Sequence, residues 1–129
     1  MHSGTLTAHR ALRVVLLEAG GGLLPYLAER IDFFRAQRPE SWTLTEPRSA
    51  AEIFREQVYA SFIDDPLGVT LRDAIDPTHL LWQSDFPHAD SHWPRSRARL
   101  AALLHDVPDD DAAAIAGGNA LALLGRRRA

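Results

Sequence analysis

Three dense apolar runs, each followed by a stretch of helical period, limit what this chain can fold into. Ala11 to Leu17 is short, β-branched at its centre and stops at Glu18; Gln57 to Phe62 and Leu80 to Ser84 are built alike. Runs of this kind mark strands buried on both faces of a parallel sheet. Behind the first, Leu24, Leu27, Ile31 and Phe34 share one face of a predicted helix over 23–37, with Pro25 in its first turn. Asp64-Asp65-Pro66 starts a second helix running to about Ile75, because carboxylates meet the positive end of the helix dipole and proline suits the first turn. The alternation predicts an α/β fold of three adjacent parallel strands near 12–18, 57–62 and 80–84, with helices packed on one side. The other face should be open and apolar, carrying Val15, Leu17, Tyr59 and Leu81.

The remaining segments read as connections and short helices. Arg38 to Pro47 is a polar loop. Ser49 caps a helix through Phe54, and Pro94 opens one striped by Leu100, Leu103 and Leu104. Pro108-Asp109-Asp110-Asp111 begins another, and Gly117-Gly118-Asn119 begins the last, Ala120 to Leu124. His79 and His105, at element boundaries, are expected to be exposed. A closed β/α barrel has eight strands in about 250 residues. Three units therefore make either an unusual compact domain or the end of something larger.

Composition removes several function classes. At 129 residues with 46% hydrophobic and 24% charged content the chain is globular, and a net charge of −3 gives no nucleic-acid surface. Arg126-Arg127-Arg128 is either a solvated end or a phosphate-binding tail. The absence of cysteine excludes disulfides, thiolate metal sites and cysteine nucleophiles. Nothing suggests secretion or a membrane span, so a cytoplasmic location is expected.

Chemistry concentrates between His79 and Pro94. There an apolar run ends abruptly at Asp85, Pro87 stops the strand, and His88, Asp90 and His92 come after it. A barrel strand delivers a carboxylate to a site at its C-terminal end in this way; the alternative is that Asp85 caps the turn before Pro87. His88 and His92 are spaced as a metal pair on one helix face, but Pro87 and Pro94 oppose a continuous helix there. His88 is expected to point into the mouth of the site. Trp93 either lines that mouth or packs under the final helices. Glu18, at the end of the first strand, is a polar pocket group or a buried acid satisfied by the amides of the Gly20-Gly21-Gly22 loop.

These stretches together resemble the amidohydrolase superfamily, in the branch similar to aminocarboxymuconate-semialdehyde decarboxylase. Leu12 to Tyr26 resembles the sixth strand and its glycine loop. Tyr59-Ala60-Ser61-Phe62 with Asp64-Asp65-Pro66 resembles the seventh, and Leu81-Trp82-Gln83-Ser84-Asp85-Phe86-Pro87-His88 the eighth. Gly117-Gly118-Asn119-Ala120 resembles the Gly-Asn-Ala helix that closes such chains. The resemblance covers nearly all of residues 1–129 and implies the C-terminal part of a (β/α)8 TIM barrel. It implies that Asp85 binds or faces a divalent metal, usually zinc, and handles the proton of metal-bound water. It also implies a small-molecule substrate, for which His88, Glu18 and Trp93 are candidate neighbours by their own positions in the sequence.

The departures carry equal weight. The family's His-x-His pair on the first strand and its fifth-strand histidine have no counterpart here, and Ala19 stands where the decarboxylase has a histidine before the glycine run. One carboxylate cannot hold a catalytic zinc, which takes three protein ligands, so this chain alone is expected to bind none. Two readings remain. The chain is part of a metal-dependent hydrolase or non-oxidative decarboxylase acting on a small carboxylated or carbonyl substrate. Or it is a non-catalytic barrel remnant that folds by association, with itself or with an N-terminal barrel partner.

Overall fold

A computed structural model describes residues 3–42 and 46–125, so the Arg126-Arg127-Arg128 tail lies outside the described residues. A one-turn helix α1 (Thr5–Ala8) precedes strand β1 (Val14–Leu16), which leads into helix α2 (Leu23–Gln37). After a turn at Pro39–Ser41, helix α3 (Ala50–Gln57) feeds strand β2 (Val58–Phe62). Helices α4 (Pro66–Thr70) and α5 (Arg72–Ile75) and a turn at Pro77–His79 lead to strand β3 (Leu80–Trp82). Helices α6 (Ser96–Leu103), α7 (Asp109–Ala113) and α8 (Asn119–Leu123) close the chain, the last two joined by a widened turn at Ala114–Gly118.

The three strands form one parallel sheet in the order β1-β2-β3, with Val14 opposite Val58 and Ala60 opposite Leu80. All three are shorter than their apolar runs. Leu12 and Arg13 are exposed, and the chain turns out of β1 at Glu18, where φ is 58. Gln57 ends α3 instead of starting β2, and its buried amide donates to the carbonyls of His9 and Leu12. The ladder continues beyond β3 through the Gln83 N–H, which donates to Phe62 O.

Side chains alternate across the sheet. Val14, Leu16, Val58, Ala60, Phe62, Leu80 and Trp82 share the face that packs on Leu24, Ala28, Ile53, Phe54, Val69 and Ile75. The side chains of Ile53, Leu80 and Ile115 are fully buried, and each such burial is worth roughly 1.5–3 kcal/mol. The opposite face carries Val15, Tyr59, Ser61 and Leu81. It is less open than expected: Ser61 and Leu81 are buried, Val15 and Tyr59 half-buried, and only Leu17 stands free.

Side-chain caps start two of the helices, α3 at Ser49 and α4 at Asp65. Ser49 caps α3 in a reciprocal box with Glu52, a motif worth about 1 kcal/mol. The helix expected over 66–75 breaks at Leu71. Val69 and Ile75, six positions apart, point to different sides of one ideal helix; the break lets both reach the core. His79, expected at the surface, is buried: its Nδ1 lies 2.6 Å from Val58 O and its ring stacks on Tyr59 at 4.2 Å. His105 is exposed, beside Asp106.

Candidate active site

Parallel strands deliver their ends to a single edge, and here three side chains stitch that edge together. The Glu18 N–H donates to Ser61 Oγ at 2.9 Å, the Ser61 hydroxyl meets Gln83 Oε1 at 2.6 Å, and Gln83 Nε2 donates to Glu18 Oε1 at 3.3 Å. The ring ties the residues after β1 and β3 to the end of β2. Glu18 is exposed, and the glycine-loop amides do not satisfy it. Asp65 takes them instead: its Oδ2 accepts from Gly21 N at 2.6 Å and Gly22 N at 3.1 Å, while its Oδ1 caps α4 through Gly68 N.

Asp85 stands two residues past Gln83 on the same edge, in the left-handed region at φ 51. Glu18 shares that conformation, which carries strain for residues with a side chain. The Asp85 Oδ2 is buried and takes no hydrogen bond from the described residues; Nδ1 of the exposed His88 lies 3.1 Å away, within ion-pair distance. His92 turns to a different acid. Its Nε2 is 3.2 Å from Asp64 Oδ2, which also accepts from Arg99 Nε at 2.7 Å and Nη2 at 2.6 Å, while Asp64 Oδ1 is buried without a partner. His88 and His92 thus serve separate carboxylates.

A concavity of about 470 Å³ opens at this edge, walled by Glu18, Gly20, Phe62, Asp64, Asp90 and His92. Glu18 reaches it; Asp85, His88 and Trp93 are not among its lining residues. Trp93 does not pack under the final helices. It is 64% exposed, with its ring 5.1 Å from that of Phe86. Sequence reasoning missed Ser61, Gln83, Asp64 and Arg99 as parts of this edge, and saw Asp65 only as a helix cap. Of these, only the Asp-Asp-Pro motif carried a signal, and it pointed to the helix start.

A family model described as amidohydrolase matches residues 1–126. The chain belongs to the amidohydrolase family. Solved structures agree with that membership. An amidohydrolase, map2389c, from Mycobacterium avium subsp. paratuberculosis K-10 is 28% identical with a TM-score of 0.77, over 95% of this chain and 30% of that one. Dihydroxybenzoic acid decarboxylase from Polaromonas sp. JS666, solved with bound manganese and the inhibitor 2-nitroresorcinol, is 26% identical with a TM-score of 0.68, over 99% and 38%. The 5-carboxyvanillate decarboxylase LigW from Sphingomonas paucimobilis, at 18% identity and a TM-score of 0.80 over 98% and 37%, shares the fold. The amidohydrolase chain therefore spans about a third of the length of the structures it matches, in keeping with three strands of a TIM barrel. No curated protein matches it.

The donor set of the amidohydrolase chain does not by itself fit a metal centre. Among the described residues, no three His, Asp or Glu side chains converge as ligands. Among the described residues Asp85 forms an ion pair with His88 alone, and a catalytic zinc site takes three protein ligands. No helix of the described residues is long and apolar enough to cross a membrane.

Proposed function

We propose that residues 1–129 are the C-terminal part of a (β/α)8 amidohydrolase barrel. In this reading they contribute Asp85 to a divalent-metal site whose other ligands come from strands outside the described residues. The complete protein is then a cytoplasmic hydrolase or non-oxidative decarboxylase of a small carboxylated or carbonyl substrate. His88, Glu18 and Trp93 lie on the substrate side, and Glu18 faces the concavity. The carrying observation is the Asp85 carboxylate: at the C-terminal end of β3, held in a left-handed turn, with a buried oxygen that takes no hydrogen bond from the described residues and has the exposed His88 Nδ1 3.1 Å away. Native proteins rarely leave such an atom unpaired unless something else is meant to meet it. The decarboxylases among the structural relatives, one of them with manganese bound, support the reaction class. Zinc is the metal we assign.

The non-catalytic reading is favoured by one observation, the lack of a three-donor cluster among the described residues. The two separate in a chimera in which this chain replaces the matching third of the Polaromonas decarboxylase. The catalytic reading expects the purified chimera to retain a divalent metal, measured by elemental analysis, and Asp85→Asn to lower its metal affinity about 10–100-fold. Metal content indifferent to Asp85→Asn sinks it.

A further inference from the structure

We propose that His92 is the proton carrier of this edge, an imidazole held by Asp64 and Arg99 whose second nitrogen serves the bound substrate. This deepens the function proposed above, rests on that reading, and adds to it a group outside the metal site.

Asp64 lies two residues past the end of β2, and its Oδ1 is buried with no hydrogen bond from the described residues. Its Oδ2 meets three nitrogens: Arg99 Nη2 at 2.6 Å, Arg99 Nε at 2.7 Å and His92 Nε2 at 3.2 Å. Two N–H groups of one rigid, planar guanidinium thus pin the oxygen that the imidazole meets. The backbone of His92 is held as well. Its carbonyl accepts from Arg95 N–H at 2.7 Å, and the Arg95 carbonyl accepts from Arg99 N–H at 2.9 Å. The loop that carries the ring is thereby joined to α6, the helix that carries the guanidinium.

A carboxylate on one imidazole nitrogen selects the tautomer with its proton there and leaves the other nitrogen for chemistry, an arrangement that recurs on unrelated folds. Here Nε2 is the committed nitrogen. Nδ1 takes no hydrogen bond among the described residues, and the side chain is 38% exposed. The ring is part of the wall of the concavity of about 470 Å³, a size that suits a small molecule. The other charged groups on that wall are three acids. Asp65 clamps the glycine-loop amides, Glu18 accepts from Gln83, and Asp90 is exposed. Histidine is the side chain that both gives and takes a proton near neutrality, and His92 is the histidine among the lining residues.

The step is a proton transfer. When the bond to a departing carboxylate breaks, its electron pair stays on the substrate carbon. The proton on Nδ1 forms the new C–H bond, carbon dioxide leaves, and the neutral imidazole takes a proton back from solvent. No oxidant or reductant enters. Asp64 and Arg99 are positioning residues, which act through the imidazole.

On the intact 129-residue chain, nitrogen-15 NMR should find the proton of the neutral His92 ring on Nε2. Asp64→Asn should mix its tautomers and leave those of His105, an exposed histidine beside Asp106, as they were. A ring with mixed tautomers in the wild type, or one indifferent to Asp64→Asn, overturns the proposal. In the chimera described above, His92→Ala should lower kcat for dihydroxybenzoic acid about 100- to 10,000-fold and leave the metal content unchanged. Added imidazole should restore turnover in proportion to its concentration, which a lost structural contact would not allow. Asp64→Asn should lower kcat and leave KM, and His105→Gln should change neither. A chimera that holds its metal but turns nothing over, that works without His92, or that imidazole cannot rescue overturns the proposal. The site reading fails separately, through metal indifferent to Asp85→Asn; the tautomer measurement needs no metal and decides the dyad either way.

Discussion

The two ends of the sheet are built on opposite terms. Where the strands begin, Gln57, His79, Asn119 and Arg48 are each answered. Gln57 bonds two carbonyls ahead of β1, His79 meets Val58 O, and Asn119 meets Leu80 O. Arg48, 8% exposed, joins Glu46 through two nitrogens and reaches Glu56 and Gln57 with a third; Glu46 also takes the Thr7 hydroxyl. Where the strands end, Asp64 and Asp85 each bury an oxygen that takes no hydrogen bond from the described residues, and Glu18 and Asp85 hold left-handed backbones. In β/α barrels the first end carries stability and the second carries chemistry. The contrast is visible here in only three strands.

Substitutions can break that contrast. The largest effect belongs to Arg48→Ala, which leaves the Glu46 carboxylate buried without its cation and should cost about 3–5 kcal/mol in urea unfolding. Next is Asp65→Ala, which frees the amides of Gly21, Gly22 and Gly68. A loss of roughly 1.5–3 kcal/mol is expected, and a loss near zero would mean the glycine loop does not need its clamp. The third is a pH effect. The Arg48 guanidinium, bonded to Glu46, holds that carboxyl down from 4.5 to about 2. The folded state favours the ionised form, so its contribution is complete above about pH 4.5 and is lost as pH falls toward 2. Thermal melts should show this slope in the wild type and a flatter one in Glu46→Gln. The smallest effect should come from Asp85→Asn, which removes a partly buried charge whose Oδ2 takes no hydrogen bond among the described residues: no change, or a gain of up to about 1 kcal/mol. A loss above about 2 kcal/mol would make Asp85 a structural cap and erase the difference between the two ends.

Much of the fold was legible because its causes are local. The helix at Leu23–Gln37 and the Ser49 cap arise from spacing within a few residues. So does the existence of three parallel strands, since an apolar run needs no knowledge of its neighbour to read as buried. What stayed hidden depends on partners far along the chain. Nothing near His79 announces the Val58 carbonyl 21 residues before it. Nothing near the glycine loop says that Asp65, and not the adjacent Glu18, will answer its amides. Ser61 and Gln83 look like ordinary strand residues until the register sets them beside each other. Asp85 was legible through its place after an apolar run, whereas the orphan oxygen that gives it interest is a property of the folded surroundings.

The Asp65 clamp also imposes an order in time. It joins residues 43 and 44 positions apart, so the glycine loop cannot settle until β2 has laid down beside β1 and carried the next turn into place. Contacts that close long loops form after local helices have had time to appear. Helix α2 is therefore available early, while the edge that bears the carboxylates sets last, once the second unit has docked. Slowing that docking should leave a species with helical content but with the Gly21 and Gly22 amides still open to hydrogen exchange, and pulse labelling during refolding would catch it.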